Sequence, residues 1–206
     1  MKGNDESKEN ICYMKYPLPG RKYNYSEYLT WDTWDNSGLV QNRYELIEGI
    51  PYLLERGYTA EHQLISGNLF VQLANFTKGK PSQVLFAPFD VRLNPHAGDD
   101  IVVQPDIIAV CDKSKFDELS CVGAPDLVVE ILSDVTARRD TTLKVQLYRK
   151  AGVREYWIVD ADTKTIYIHN FESGSYYFAS NKDADFVAVH VIEGCEVNIH
   201  DVFKDC

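Results

Sequence analysis

The chain has 206 residues, a formal net charge of −10 and hydrophobic side chains at 45% of its positions. That length suits one domain with its own core, which needs no disulfide or metal to fold. No apolar run approaches the ~20 residues that cross a bilayer, and the polar start MKGNDESKENICYMKY lacks signal-peptide character. We therefore expect a cytoplasmic protein without membrane contact. The acidic balance argues against a broad basic face for duplex DNA, although a local basic rim stays compatible with it.

The first elements read as an arm followed by a hairpin and a helix. Residues 1–42 are predicted to form an N-terminal arm with a short helix at SEYLTWD, and residues 43–206 to form the main domain. RYELIEGIPYLLE alternates in the manner of a β-hairpin that turns near Gly49. Between Thr59 and Gly79 the apolar residues fall on helical spacing, and the glycine supplies a C-terminal stop.

Three strand-like runs follow the helix: SQVLFAPFDVRL, IVVQPDIIAVCD and DLVVEILS. The last two are rich in β-branched residues and nearly continuous in apolar ones, which predicts strands covered on both faces. Residues 133–152 indicate a loop and a helix that ends at Gly152, and EYWIVD indicates another buried strand. Residues 164–201 alternate as antiparallel strands. The order predicts an α/β fold with a core of helix, three strands, helix and strand, and an antiparallel β extension at the C-terminus.

Two carboxylates interrupt the apolar runs. Asp106 follows Pro105 in VVQPDIIAV, and Glu130 lies in DLVVEILS. A buried carboxylate costs several kcal/mol unless it is paired or bound to a cation. Either acid could instead lie at a strand end and reach solvent, or pair with an arginine or lysine. Two of them on neighbouring strands would supply half of an oxygen cage for magnesium.

Six stretches in this order carry a family resemblance: YELIEG, EHQLISGNL, VVQPDIIAV, GAPDLVVEILS, the helix containing Arg139, Lys144 and Tyr148, and GVREYWIVD. Together they resemble the Uma-two family of restriction endonucleases, within the PD-(D/E)XK nuclease superfamily, over roughly residues 43 to 170. The resemblance implies a restriction-endonuclease-like core and a divalent-metal-dependent endonuclease that hydrolyses DNA. It also implies Mg²⁺ as the cofactor, with Mn²⁺ as a substitute.

The resemblance also implies roles for individual residues. Asp106 and Glu130 match the two acids of the motif and would bind the metal, with the carbonyl of Ile131 as a further ligand. Glu48, in YELIEG, matches an acid ahead of the core and would hold a second ion or a metal-bound water. The classical motif has lysine two places after its second acid, but here that position is Leu132.

Lys144 resembles the family's relocated lysine, which would position and deprotonate the attacking water. Its alternative interpretation is a solvated helix lysine. Three further residues are candidates for substrate contact: Gln104, His62 and Arg139. Each has a structural alternative, respectively a polar edge residue, a core or capping histidine, and a surface ion pair.

Two other functions stay open on the sequence. The acidic charge and the relocated lysine also suit a nuclease-fold module that binds nucleic acid or a protein without cutting. A glycosidase acid/base pair is a weaker alternative, because it needs an open sugar cleft rather than acids in apolar strands. The aromatic run Tyr176, Tyr177 and Phe178 in the β extension predicts an edge that could pair in a homodimer.

Overall fold

A computed structural model describes residues 17–31, 42–54 and 59–206. The first sixteen residues of the predicted arm and the predicted end of the hairpin at Glu55 lie outside the described residues. The predicted order of helix, strands, helix, strand and antiparallel extension is confirmed. No described helix is long and apolar enough to span a membrane.

The described residues form strands and helices with the following bounds. The strands are β1 (Arg43–Ile47), β2 (Ile50–Leu54), β3 (Gln83–Phe86), β4 (Asp90–Arg92), β5 (Val102–Val103), β6 (Ile107–Val110), β7 (Ser120–Val122), β8 (Leu127–Ile131), β9 (Glu155–Asp160), β10 (Thr165–Asn170), β11 (Ser175–Ser180), β12 (Phe186–Val189) and β13 (Cys195–Asn198). The α-helices are α1 (Tyr25–Tyr28), α2 (Ala60–Thr77), α3 (Ala137–Thr141), α4 (Leu143–Ala151) and α5 (Ile199–Val202).

The main sheet has six strands in the order β11-β10-β9-β8-β6-β3. Strands β8 and β9 are parallel, and α3 and α4 lie in the crossover between them, as a parallel connection requires. A second sheet has the order β2-β1-β5-β4-β7, and β12 pairs with β13 as a separate hairpin. The sheets meet where the chain passes from β5 to β6, which is where Asp106 lies.

The prediction of one strand over IVVQPDIIAVCD is wrong, because the run is divided between the two sheets. Val102 and Val103 belong to the second sheet, and the main sheet takes up the chain again at Ile107. Pro105 lacks an amide donor and restricts the residue before it, so a continuous ladder is unfavourable there. Asp106 therefore lies just before β6 rather than inside a strand.

Helix α2 packs on the main sheet along one face. Ile65, Leu69 and Leu73 are fully buried there, and His62 is buried one turn earlier on the same face. The side chain of Thr59 caps the helix by accepting a hydrogen bond from the amide of His62 at 3.1 Å. The capped first turn and the buried stripe together direct His62 toward the sheet.

The segment predicted as a loop and one helix contains two helices, α3 and α4, which meet at Thr142. Gly152 ends α4 with φ of 93°, a conformation that glycine adopts without strain. Lys144 and Tyr148 are four residues apart on the buried face of α4. This spacing places both side chains against β8.

The described part of the N-terminal segment is docked on the second sheet. Tyr23, Tyr25 and Trp31 are buried and form a small cluster with Leu46 and Val102. The amide of Tyr23 donates to the carbonyl of Gly49 at 2.9 Å. The boundary at residue 42 between arm and domain stays a prediction.

Candidate active site

The two acids singled out in the sequence face each other on adjacent strands. Strands β6 and β8 are antiparallel with Ile107 opposite Val129, so the next pair along this register is Asp106 opposite Glu130. Asp106 Oδ2 accepts a hydrogen bond from the amide of Ile131 at 2.7 Å and lies 3.3 Å from Nε2 of His62. Both carboxylates are buried, so neither follows the alternative of a solvent-exposed strand end.

Lys144 lies at the centre of a group of acids. Its Nζ donates to Glu130 Oε1 at 2.8 Å and to Glu45 Oε1 at 2.9 Å, and it lies 3.4 Å from Asp140 Oδ1. The side chain is 3% exposed, so Lys144 is not a solvated helix lysine. The lysine that the resemblance implies therefore contacts Glu130, the second acid of the motif.

The electrostatics of the cluster reflect an excess of negative charge. Burial, opposed by Lys144 and reinforced by the neighbouring acids, raises the pKa of Glu130 to about 8. Burial likewise raises the pKa of Asp140. Burial alone would lower the pKa of Lys144, but Glu130, Glu45 and Asp140 raise it well above its ordinary value. At neutral pH the lysine is therefore an ammonium ion and not a base.

Two buried tyrosines donate hydrogen bonds to members of this cluster. The hydroxyl of Tyr148 donates to Glu130 Oε1 at 2.8 Å, and the hydroxyl of Tyr156 donates to the carbonyl of Asp140 at 3.1 Å. Both tyrosines are buried, but their hydroxyls also orient members of the cluster.

The structure does not bring Glu48 together with Asp106 and Glu130. Glu48 is exposed in the β1–β2 turn with φ of 53°, and it is not among the residues lining the cavity at Asp106 and Glu130. Glu45, three residues earlier in the same stretch, is fully buried and lines that cavity. A turn residue next to Gly49 faces solvent, whereas position 45 shares the inward face of β1 with Ile47.

The three candidate substrate residues, Gln104, His62 and Arg139, line the same cavity, but their hydrogen bonds and ion pairs differ. The amide nitrogen Nε2 of Gln104 donates to Asp90 Oδ1 at 2.8 Å and to the hydroxyl of Tyr28 at 3.1 Å, so its side chain is held by the second sheet. Its backbone N–H donates to Glu45 Oε1 at 3.1 Å. Arg139 Nη2 lies 3.7 Å from Glu45 Oε2. His62 contacts Asp106, as stated above.

The donor set fits a hard cation. A cavity of about 30 Å³ lies among the carboxylates, and Ile131 also lines it. Asp106 Oδ1 and Glu130 Oε2 accept no hydrogen bond from any described residue, and the buried Glu45 Oε2 accepts none either. Oxygen donors of this kind are those that Mg²⁺ and Mn²⁺ prefer. Within the described ranges, however, no three His, Cys, Asp or Glu side chains form a ready-made metal site, and the ammonium of Lys144 lies between Glu45 and Glu130.

Sequence reasoning missed Glu45, Asp140 and the hydroxyl of Tyr148 as members of the cluster. Glu45 was detectable as an acid on the inward face of a strand, two residues before a buried isoleucine. Asp140 was detectable by its spacing, because residues four apart on adjoining helical turns place it beside Lys144. Tyr148 carried no sequence signal that separates a hydrogen-bonding role from packing.

Comparison with known proteins gives a family and a fold. A family profile described as Uma2, "Putative restriction endonuclease", matches residues 25–200. A solved structure from Anabaena variabilis, described as a putative nuclease belonging to DUF820, is similar with a TM-score of 0.63 and 18% identity, covering 78% of this chain and 89% of that one. No curated protein matches this chain. At that identity the solved structure shows the fold, which is the predicted restriction-endonuclease-like α/β fold.

Proposed function

Since the chain belongs to the Uma2 family of restriction endonucleases, we propose that it is a divalent-metal-dependent endonuclease that hydrolyses phosphodiester bonds of DNA. The observation that carries the proposal is Asp106 opposite Glu130, with Lys144 bonded to the second of them. When all are ionised, the four buried acids of the cluster outnumber its lysine and arginine by two, which is the charge of one divalent cation: Glu45, Asp106, Glu130 and Asp140 against Arg139 and Lys144.

Asp106, Glu130 and the carbonyl of Ile131 would hold the ion, with Glu45 in place of Glu48 as the additional acid. When bound, Mg²⁺ or Mn²⁺ supplies Lewis-acid stabilisation of the phosphate and lowers the pKa of an attacking water. Tyr148 keeps Glu130 oriented, and the amide of Ile131 does the same for Asp106. These attachments fix the two carboxylates before substrate arrives.

Lys144 acts as a cation in this proposal. Its ammonium form orients the attacking water by donating a hydrogen bond and stabilises the negative charge that grows on the phosphate oxygens. The water attacks phosphorus, and the bond to the leaving sugar oxygen breaks. The proton of the water leaves through a carboxylate or solvent rather than through Lys144, whose pKa is raised well above its ordinary value.

Cleavage of supercoiled plasmid with Mg²⁺ or Mn²⁺ tests the proposal. The wild type should nick or linearise the plasmid in a metal-dependent reaction, and Asp106→Asn should abolish it while remaining folded. Absence of cleavage by folded wild type with either metal, on duplex and single-stranded DNA, would favour the alternative of a non-cutting binding module. The net charge of −10, unusual for a protein that binds and cleaves DNA, is the observation that favours that alternative.

Two finer parts of the proposal concern assembly and location. Strand β11 is the last strand of the main sheet as described, and Tyr176 and Phe178 on it are exposed. We propose that two copies pair through this edge as a homodimer, which light scattering after gel filtration tests against the monomer mass of 23.5 kDa. We also propose that the enzyme acts in the cytoplasm, where DNA and Mg²⁺ are both present.

A further inference from the structure

Two neighbouring cavities, with the ring contact of Phe70 and Phe86 between them, lie along the seam between helix α2 and strand β3, the last strand of the main sheet on that side as described. The helix presents one stripe of uncharged side chains to this seam, at the spacing of a helical face: Gln63, Ser66, Phe70, Ala74 and Thr77. From Gln63 to Thr77 the stripe spans about 21 Å at the helical rise per residue. We call this seam the α2–β3 groove.

The first half of the groove opens onto the site. Asp106 and His62 line it together with Arg43, whose Nη1 donates to Gln104 Oε1 at 3.4 Å. Among the described residues lining this half, Asp106 is the one acid. A phosphate group that approaches Asp106 from this side therefore passes an arginine rather than a row of carboxylates.

An exposed aromatic ring lies in the middle of the groove. Phe86 ends β3 and is 56% exposed. Its ring contacts the ring of Phe70 edge to face, with centroids 4.7 Å apart and an interplanar angle of 70°. The contact fixes the orientation of Phe86 while much of its surface stays in solvent. A fixed aromatic surface beside a phosphate path is the arrangement on which proteins stack unpaired bases.

The far half of the groove is basic. Lys78, Lys80 and Lys113 line it, and all three are exposed. No described carboxylate lines this half or forms an ion pair with any of these lysines. Nζ of Lys80 lies over the ring of Phe76, 3.1 Å from the ring centroid, and this cation–π contact holds the ammonium at the side of the groove. In a chain of net charge −10, this is a local concentration of positive charge.

The other opening beside His62 has the opposite charge. The described residues that line it include four acids and no lysine or arginine: Glu61, Asp134, Asp160 and Asp162. A polyanion is repelled there by the negative charges of the described lining residues and attracted along the α2–β3 groove. The charge distribution thus selects one of the two approaches to Asp106.

We infer that a single DNA strand lies in the α2–β3 groove, with Phe86 stacking on one of its bases and Arg43, Lys78 and Lys113 binding its phosphates. The inference rests on the proposed function, since it takes the strand to be cut at Asp106 and Glu130. The groove accommodates about six nucleotides at the stacked spacing of ~3.4 Å. Stacking requires an unpaired base, so the preferred substrate has a single-stranded segment next to the cleaved bond.

Fluorescence anisotropy of labelled (dT)₁₂ in EDTA tests the groove without any cleavage. Phe86→Ala should bind about tenfold more weakly than wild type, because one base loses its stacking partner. The matched control is Phe186→Ala, which removes an equally exposed aromatic from β12, outside the groove and outside the proposed dimer edge, and should bind as wild type does. Equal binding by Phe86→Ala and wild type, or no binding by wild type, would overturn the inference.

The salt dependence of the same binding tests the lysines. Replacing Lys78 and Lys113 together by glutamine should reduce the slope of log K against log salt by about 1.4, because each lost phosphate contact contributes ~0.7 on a single strand. The control double variant, Lys150→Gln with Lys182→Gln, lies outside the groove and should keep the slope. An unchanged slope in the first variant, or tighter binding of (rU)₁₂ than of (dT)₁₂, would contradict the assignment to DNA in this groove. The nuclease proposal is decided separately, by the metal-dependent plasmid reaction.

Discussion

Glu130 and Glu155 are buried glutamates on neighbouring parallel strands, and they differ in the groups that bond to their carboxylates. Both oxygens of Glu155 accept hydrogen bonds from neutral donors, the indole N–H of Trp157 at 2.6 Å and the amide of Val191 at 3.1 Å. Glu130 instead accepts from Lys144 and Tyr148 through one oxygen and has further acids beside it.

The difference separates a structural carboxylate from a reactive one. Burial raises the pKa of both glutamates, but the next contributions to Glu155 are hydrogen bonds that lower its pKa, from Trp157 and Val191. For Glu130, Lys144 lowers the pKa, and Asp140 is the first of three acids that raise it again. Glu155 joins β9 to the segment around Val191, and each of its carboxylate oxygens already accepts a hydrogen bond. Glu130 belongs to a cluster with excess negative charge, which a cation would neutralise.

The largest effect is expected from Lys144→Met. The methionine fills similar space but leaves Glu130 and Glu45 without their shared cation, which should destabilise the fold by roughly 3–5 kcal/mol. Cleavage should fall at least ~100-fold, as for loss of a donor to the transition state. Chemical unfolding and plasmid nicking measure the two effects. Lys150→Met, in the exposed last turn of α4, is the control and should change neither; equal behaviour of the two variants would contradict the role of Lys144.

The pH dependence of stability tests the raised pKa of Glu130, which is the second largest expected effect. Because the folded pKa of Glu130 is raised from 4.5 to about 8, the folded state holds an extra proton between these values. The contribution of Glu130 to stability without metal should therefore be fully present below pH 4.5 and be lost toward pH 8, by at most ~1.4 kcal/mol per pH unit for one proton. Urea unfolding of Glu130→Gln across this range should show a flatter profile. Parallel profiles for the variant and the wild type would contradict a raised pKa at this residue.

A smaller and purely structural effect is expected from Glu155→Gln. The amide keeps one acceptor, but its NH₂ group meets a backbone or indole N–H donor, which should cost about 1–3 kcal/mol of stability. Cleavage below the unfolding temperature should stay within about twofold of wild type, since a change of 0.4 kcal/mol corresponds to that factor. Thermal denaturation and nicking rates measured on one preparation separate the two effects.

The smallest effect is expected at Glu48. Glu48→Asn keeps a residue that tolerates the positive φ of the turn, and it should change stability by less than ~0.5 kcal/mol and leave cleavage unchanged. Glu45→Gln is the matched variant at the buried position, and its cleavage should fall. Loss of cleavage in Glu48→Asn with normal folding would reinstate the original expectation for that residue.

Sequence reasoning was sufficient for elements whose signal is local. Helix α2 followed from apolar spacing and a terminal glycine, and β9 followed from one apolar run. It was not sufficient where tertiary pairing decides, as in IVVQPDIIAVCD, whose two halves pair with different sheets. Nothing local in that run distinguishes one long strand from two short ones except Pro105.

The site shows the same division. Asp106 and Glu130 stood out because a charged residue in an apolar run is costly, and Lys144 was found through the resemblance. The bond from Lys144 to Glu45 joins residues 99 positions apart, so it depends on how the two sheets meet. Both faces of β1 are buried, so the strand pattern that marks Glu45 does not say which face lies toward Asp106 and Glu130, and that is also a tertiary property.

Metal-dependent cleavage by Glu130→Gln and Glu155→Gln, assayed side by side on the same plasmid with wild type as reference, tests the central claim most directly. We predict that Glu130→Gln is folded and inactive, while Glu155→Gln is less stable and cleaves as wild type does. Equal activity of the two variants with either Mg²⁺ or Mn²⁺ would contradict the assignment of Glu130 to a metal-binding active site.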